Sequence, residues 1–191
     1  MTLRNFAARA LLHGLLTPVL TAGAALAHSF NLLIVVPDDA PVGKDMRQAA
    51  FLAADERDGH PDNHSDGHLG GLDVYVTLTS DLRDRAAWDE AQPDIVLDAL
   101  FTPQVISTDP DPEWLTLYGF HLDLLDREAV LAAADPTVPP FVERFRAAMG
   151  RDPGPEASAA YLGARLVDLI VRPLDDAGDP GTLMEQLEAL R

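Results

Sequence analysis

The chain contains no cysteine. Even an oxidising compartment would give it no disulfide, and thiolate metal sites and a cysteine nucleophile are excluded. Basic residues are scarce. Lys and Arg together number 14, with Lys44 the only lysine, against 31 Asp and Glu, for a formal net charge of -17. Such a surface repels nucleic acid and anionic lipid and favours cations or basic partners. Beyond the N-terminal segment, no apolar run approaches the roughly 20 residues a membrane span needs. The common catalytic signatures are missing as well: there is no G-x-S-x-G elbow, P-loop, G-x-G-x-x-G or H-E-x-x-H. The sequence therefore reads as a non-enzyme without catalytic residues.

What is present begins with an export signature. Met1 to Arg9 carries Arg4 and Arg9 and no acid, and an apolar stretch runs from Ala10 to Leu20. Small residues follow, and Ala25-x-Ala27 fits the rule for signal-peptidase cleavage. Residues 1–27 are expected to be a cleaved signal peptide, leaving 28–191 as one α/β domain. Losing two arginines and no acid takes its charge to about -19.

Strand and helix patterns alternate along that domain. Phe30 to Pro37 is a continuous apolar, β-branched run, as a parallel strand buried on both faces requires. Asp38 to Gly43 forms a loop before a helix from about Lys44 to Arg57, with Met46, Ala49, Ala50, Ala53 and Ala54 at helical spacing. A polar loop, Asp58 to Gly71, precedes a second strand, Leu72 to Leu78. Asp81 to Ala91 reads as helix and Pro93 to Leu100 as a third strand. Val105 to Ser107 and Leu115 to Leu122 are further strand candidates around the turn-forming DPDPEW stretch. Helices are expected over Pro140 to Met149, Pro155 to Arg172 and Gly181 to Leu190. This order predicts βαβ units in a doubly wound, mostly parallel sheet.

Two blocks carry a family resemblance. The first strand, then VGKDMRQAAFLAADERDG and GGLDVYVTLTSD, resembles the opening of type I periplasmic solute-binding proteins, the Leu/Ile/Val-binding relatives that serve ABC transporters. The C-terminal block from FVERFRAAMGRDPGPEASAAYLGARL to the closing helix is similar to the end of the same family. The resemblance implies a flavodoxin-like lobe, a periplasmic location, and a small solute, an ABC permease or another periplasmic protein as partner. In that family the early strands and the late helices share one lobe, and a second lobe is inserted between them. About 40 residues join the third strand to the C-terminal block here, too few for a second lobe, so the chain reads as a single-lobe relative. A departure accompanies this: amino-acid binders of the family often place an aromatic before the Gly-x-Asp-Met motif, where this chain has Val42.

Two candidate sites follow. Ligands of open α/β sheets sit at the carboxyl ends of the strands, which points to Asp38, Asp39, Val42, Ser80 and Asp98 as lining an open crevice. Trp88 and Trp114 read as packing residues, with Trp114 a further candidate for that crevice. The alternative function is zinc or copper binding by the loop GHPDNHSDGH. There His60, His64 and His68 recur every four residues among Asp62 and Asp66, and imidazoles with carboxylates can complete a metal shell. Cleavage after Ala27 would add His28 as an N-terminal chelating residue, and the topology would bring the loop back toward it. His121 reads as a hydrogen-bonded surface residue. A large apolar patch on the face left open by the missing lobe would favour a homodimer or docking.

Overall fold

The apolar run that marks the first strand forms β1 (Ser29–Val35), with every side chain from Leu32 to Val35 buried. A computed structural model describes residues 29–56, 65–81, 85–100, 113–132 and 137–191. After β1 the chain enters α1 (Ala40–Asp55), which begins ahead of the expected Lys44. Asp39 is the reason: it stands in extended backbone as the N-cap, and its carboxylate accepts the Val42 N–H at 3.4 Å. Pro41 then falls in the first turn, where no intrahelical N–H is lost. The helix buries Met46 and four alanines, so its inner face is short and flat.

The polar loop ends sooner than the sequence suggests. His68 and Leu69 form a short strand, β2 (His68–Leu69), folded back antiparallel on β3 (Leu72–Thr79). Gly70 and Gly71 make the turn with φ of 66° and 94°, the left-handed pair a tight hairpin needs. A Cβ on Gly70 would lie 2.6 Å from the Arg172 backbone nitrogen, so only glycine fits between this turn and a later helix.

The next helix, α2 (Arg85–Ala91), starts after the expected Asp81, whose N–H is taken by the Thr79 hydroxyl at 3.2 Å. β4 (Ile95–Asp98) and β5 (Leu115–Tyr118) follow. β5 gives way to a 3-10 turn, Gly119–Leu124, rather than continuing to Leu122. There the ring Nδ1 of His121 accepts the Tyr118 N–H at 3.0 Å, which caps the turn at the open edge of β5. The strand expected at Val105 to Ser107 lies outside the described residues.

The sheet order is β2-β3-β1-β4-β5, with β3, β1, β4 and β5 parallel and β2 antiparallel at the edge. The α/β class and mostly parallel sheet expected from the alternation are observed. The order of the four parallel strands is compatible with a single flavodoxin-like lobe.

The C-terminal part is helical: α3 (Arg127–Leu131), α4 (Phe141–Met149), α5 (Pro155–Val171) and α6 (Pro180–Glu188). Gly150, with φ 71°, stops α4 as the sequence predicts. α5 lies beside α1 on one face of the sheet and buries nearly its whole surface. Its Gly163 allows this, since a Cβ there would meet the Leu97 methyls at 2.6 Å. Leu32, Ile34, Ile95, Leu97, Leu115 and Leu117 face these helices in the main core. The alternate residues Leu33, Val35 and Val96 form a small second cluster with Ala91, Trp88 and Trp114.

Buried charge ties the helices of the main face together. Glu56, at the end of α1, takes the hydroxyl of Tyr161 and the guanidinium of Arg144, and lies 3.2 Å from Arg165. Arg165 also lies 3.3 Å from Asp168, which accepts the Gly70 N–H at 2.8 Å and pairs with Arg172. Burial, then the Glu56 carboxylate, push the Tyr161 hydroxyl far above its ordinary value, so it remains a donor.

Candidate functional site at the carboxyl edge of the sheet

Because β1, β3, β4 and β5 are parallel, their carboxyl ends share one edge. The register pairs Val35 with Thr79 and Asp98 with Tyr118. The connection from β1 moves to one side of the sheet and β4 lies on the other, so the switch point falls between β1 and β4. Four of the five predicted crevice residues lie at this edge with polar groups. Asp38 and Ser80 are exposed just past β1 and β3. Asp39 is exposed too, but one of its oxygens is committed to capping α1. Asp98 closes β4 and is fully buried.

Val42 stands in the first turn of α1, half-buried, and packs against the main core. The Gly-x-Asp-Met motif that follows has a packing role as well. Gly43 lies against Val36, Met46 is buried in the core, and buried Asp45 pairs with Arg151 at 2.6 Å. That ion pair joins the first block of the resemblance to the second.

Sequence reasoning missed an aromatic group on the same edge. Tyr118 ends β5, Phe120 follows it 55% exposed, and their rings stack with centroids 5.3 Å apart. Burial, then the nearby Asp98 carboxylate, hold the Tyr118 hydroxyl above its ordinary value. His121 is buried rather than a surface residue, its ring 4.2 Å from that of Phe120. Burial and, after it, the charge of Arg191 hold its imidazole below the usual histidine value, which suits its role as acceptor. The alternation of Leu115 to Leu122 was the available signal, but it reads equally as continued strand. The edge thus offers carboxylates, a hydroxyl and an aromatic face.

Two members of the predicted metal set fall among the described residues, and both serve the β2–β3 edge. His68 is buried with its Nε2 2.8 Å from Asp73. Asp66 accepts the Val76 N–H at 2.8 Å, which covers the outer edge of β3. His28, His60, Asp62 and His64 lie outside the described residues. Among the described residues no three His, Asp or Glu side chains converge to hold a metal ion. The register does return the loop end to the amino edge of β1, since Ser29 pairs with Asp73 and Asp73 with His68.

Trp114 lies away from the crevice. It precedes β5 at the amino edge and packs on Trp88 with ring centroids 4.6 Å apart. No helix among the described residues is long and apolar enough to cross a membrane. Comparison of the chain with models of known protein families, with characterised proteins and with solved structures gives no match.

Proposed function

We propose that this chain is an exported, non-catalytic binding protein, a single-lobe relative of the solute-binding proteins of ABC transporters. Its carboxyl edge takes a small solute or a periplasmic partner. The observation that carries the reading is the grouping of exposed Asp38, Asp39 and Ser80 beside buried Asp98 at the switch point of a parallel sheet. The packing of α1 against α5, pinned by Asp45–Arg151 and the Glu56 network, supports it, because the resemblance expects the early strands and late helices to share one lobe.

A thermal-shift screen of the chain from residue 28 against amino acids and small carboxylates tests the proposal. A solute present at about 100 times its Kd stabilises by about 2.7 kcal/mol, a rise of about 5–10 °C for a chain of this size. Ser80→Trp, which fills the edge without touching the core, is expected to abolish that rise. No stabilisation by any solute, or a rise that survives Ser80→Trp, overturns the reading.

A further inference from the structure

The amino edge of the sheet holds a cavity, at the opposite end of the strands from the proposed solute site. Its volume is about 420 Å³, within the range of small-molecule sites. Trp88 and Trp114 form one wall, both half-buried, with their rings inclined at 42°. Three acids line the remainder: Asp89, Asp94 and Glu113. Among the described residues, none of the side chains lining it is basic.

The scaffold fixes these groups. Gln92 adopts φ 38°, in the left-handed region, and turns the chain sharply out of α2, with its N–H on the Trp88 carbonyl at 2.8 Å. Asp94 is then bolted to both neighbouring strands. Its N–H bonds the Asn31 carbonyl at 3.0 Å, its carboxylate accepts the Asn31 N–H at 2.8 Å, and its carbonyl accepts the Leu115 N–H at 3.0 Å. Glu113 and Trp114 enter β5 directly beside it. Burial raises the Asp94 carboxyl above its ordinary value; the Asn31 N–H opposes that shift and the Asp176 carboxylate adds to it.

Indole faces attract cations through their quadrupole, and the attraction strengthens where water is partly excluded. Carboxylates beside them supply charge and hydrogen-bond acceptors. A bare metal ion would gain nothing from the indoles, and an anion would be repelled by all three acids. We infer that this cavity is a binding site for a small organic ammonium ion, with Trp88 and Trp114 as the stacking wall and Asp94 and Glu113 as the charged partners.

The two wall residues are also the only tryptophans in the chain, so intrinsic tryptophan fluorescence reports on this cavity alone. The test titrates the protein with tetramethylammonium and with butylammonium. Sodium chloride at equal ionic strength and tert-butanol, an uncharged molecule of similar size, are the controls. The expected result is a saturable fluorescence change with one or both ammonium ions and none with the controls. Trp114→Leu should weaken binding about 3–30-fold, and Trp114→Phe less, as loss of a cation–π contact predicts. Glu113→Gln removes charge from an exposed side chain without disturbing packing, and it should weaken binding while the circular dichroism spectrum stays unchanged. No saturable change with either ammonium ion, an equal change with tert-butanol, or full affinity in Glu113→Gln together with Trp114→Leu would overturn the assignment.

Discussion

The two faces of the central sheet are closed in different ways. On one face α1 and α5 pack side by side and bury small residues, Ala49, Ala50, Ala53 and Ala54 on one helix and Ala160 and Ala164 on the other, while Gly163 lets α5 sit close on Leu97 of β4. Buried Glu56 and Asp168 then link these helices to α4 and to the β2–β3 turn. On the other face, described contacts come from α2 and the indole pair, against only Leu33, Val35 and Val96. Small residues interlock and leave little space, whereas two large rings meeting at an angle leave a cavity.

The contrast can be broken first at its charged hub. Glu56→Ala leaves Arg144, Arg165 and the Tyr161 hydroxyl without their common acceptor, and a loss of about 3–5 kcal/mol is expected in urea unfolding. A loss below about 1 kcal/mol would mean that apolar packing alone holds this face. Truncation of one ring on each face sharpens the comparison. Phe145→Ala, at a fully buried site, should cost about 3–5 kcal/mol. Trp88→Ala, half-buried beside an existing cavity, should cost about 1–2 kcal/mol despite the larger side chain. Equal losses would show the second face to be packed as tightly as the first.

A smaller effect concerns His121 at the carboxyl edge. Its folded value lies below the unfolded value of about 6.5, so the unfolded chain takes up the proton first. Stability from this group is therefore complete above about pH 6.5 and is lost as the pH falls from there through the folded value. The pH dependence of unfolding should be flatter over that window in His121→Gln, whose side-chain oxygen can still accept the Tyr118 N–H. The smallest change belongs to the turn behind the indoles. Gln92→Gly removes the cost of a left-handed side-chain residue but adds unfolded-state entropy, leaving a net stabilisation within about 1 kcal/mol.

Much of the framework was legible in the residues. The apolar β1, the helix stop at Gly150, the proline opening α5 and the alternation of strand and helix each rest on a local rule, and each element stands close to its expected bounds. Errors fell where a contact distant in sequence overrode local pattern. His68 joined a strand because the Gly70 turn docks on the end of α5. The Glu56 network was illegible for the same reason: its partners Arg144 and Tyr161 stand 88 and 105 residues further along the chain.

By itself, then, the sequence determined the α/β class and the acidity of the chain, since composition and short-range periodicity carry these. Tertiary structure alone decided which acids meet at the carboxyl edge and that Val42 packs, half-buried, against the core. It also decided that two tryptophans 26 positions apart share one wall. Strand order and register bring remote residues together, and no local spacing encodes that juxtaposition.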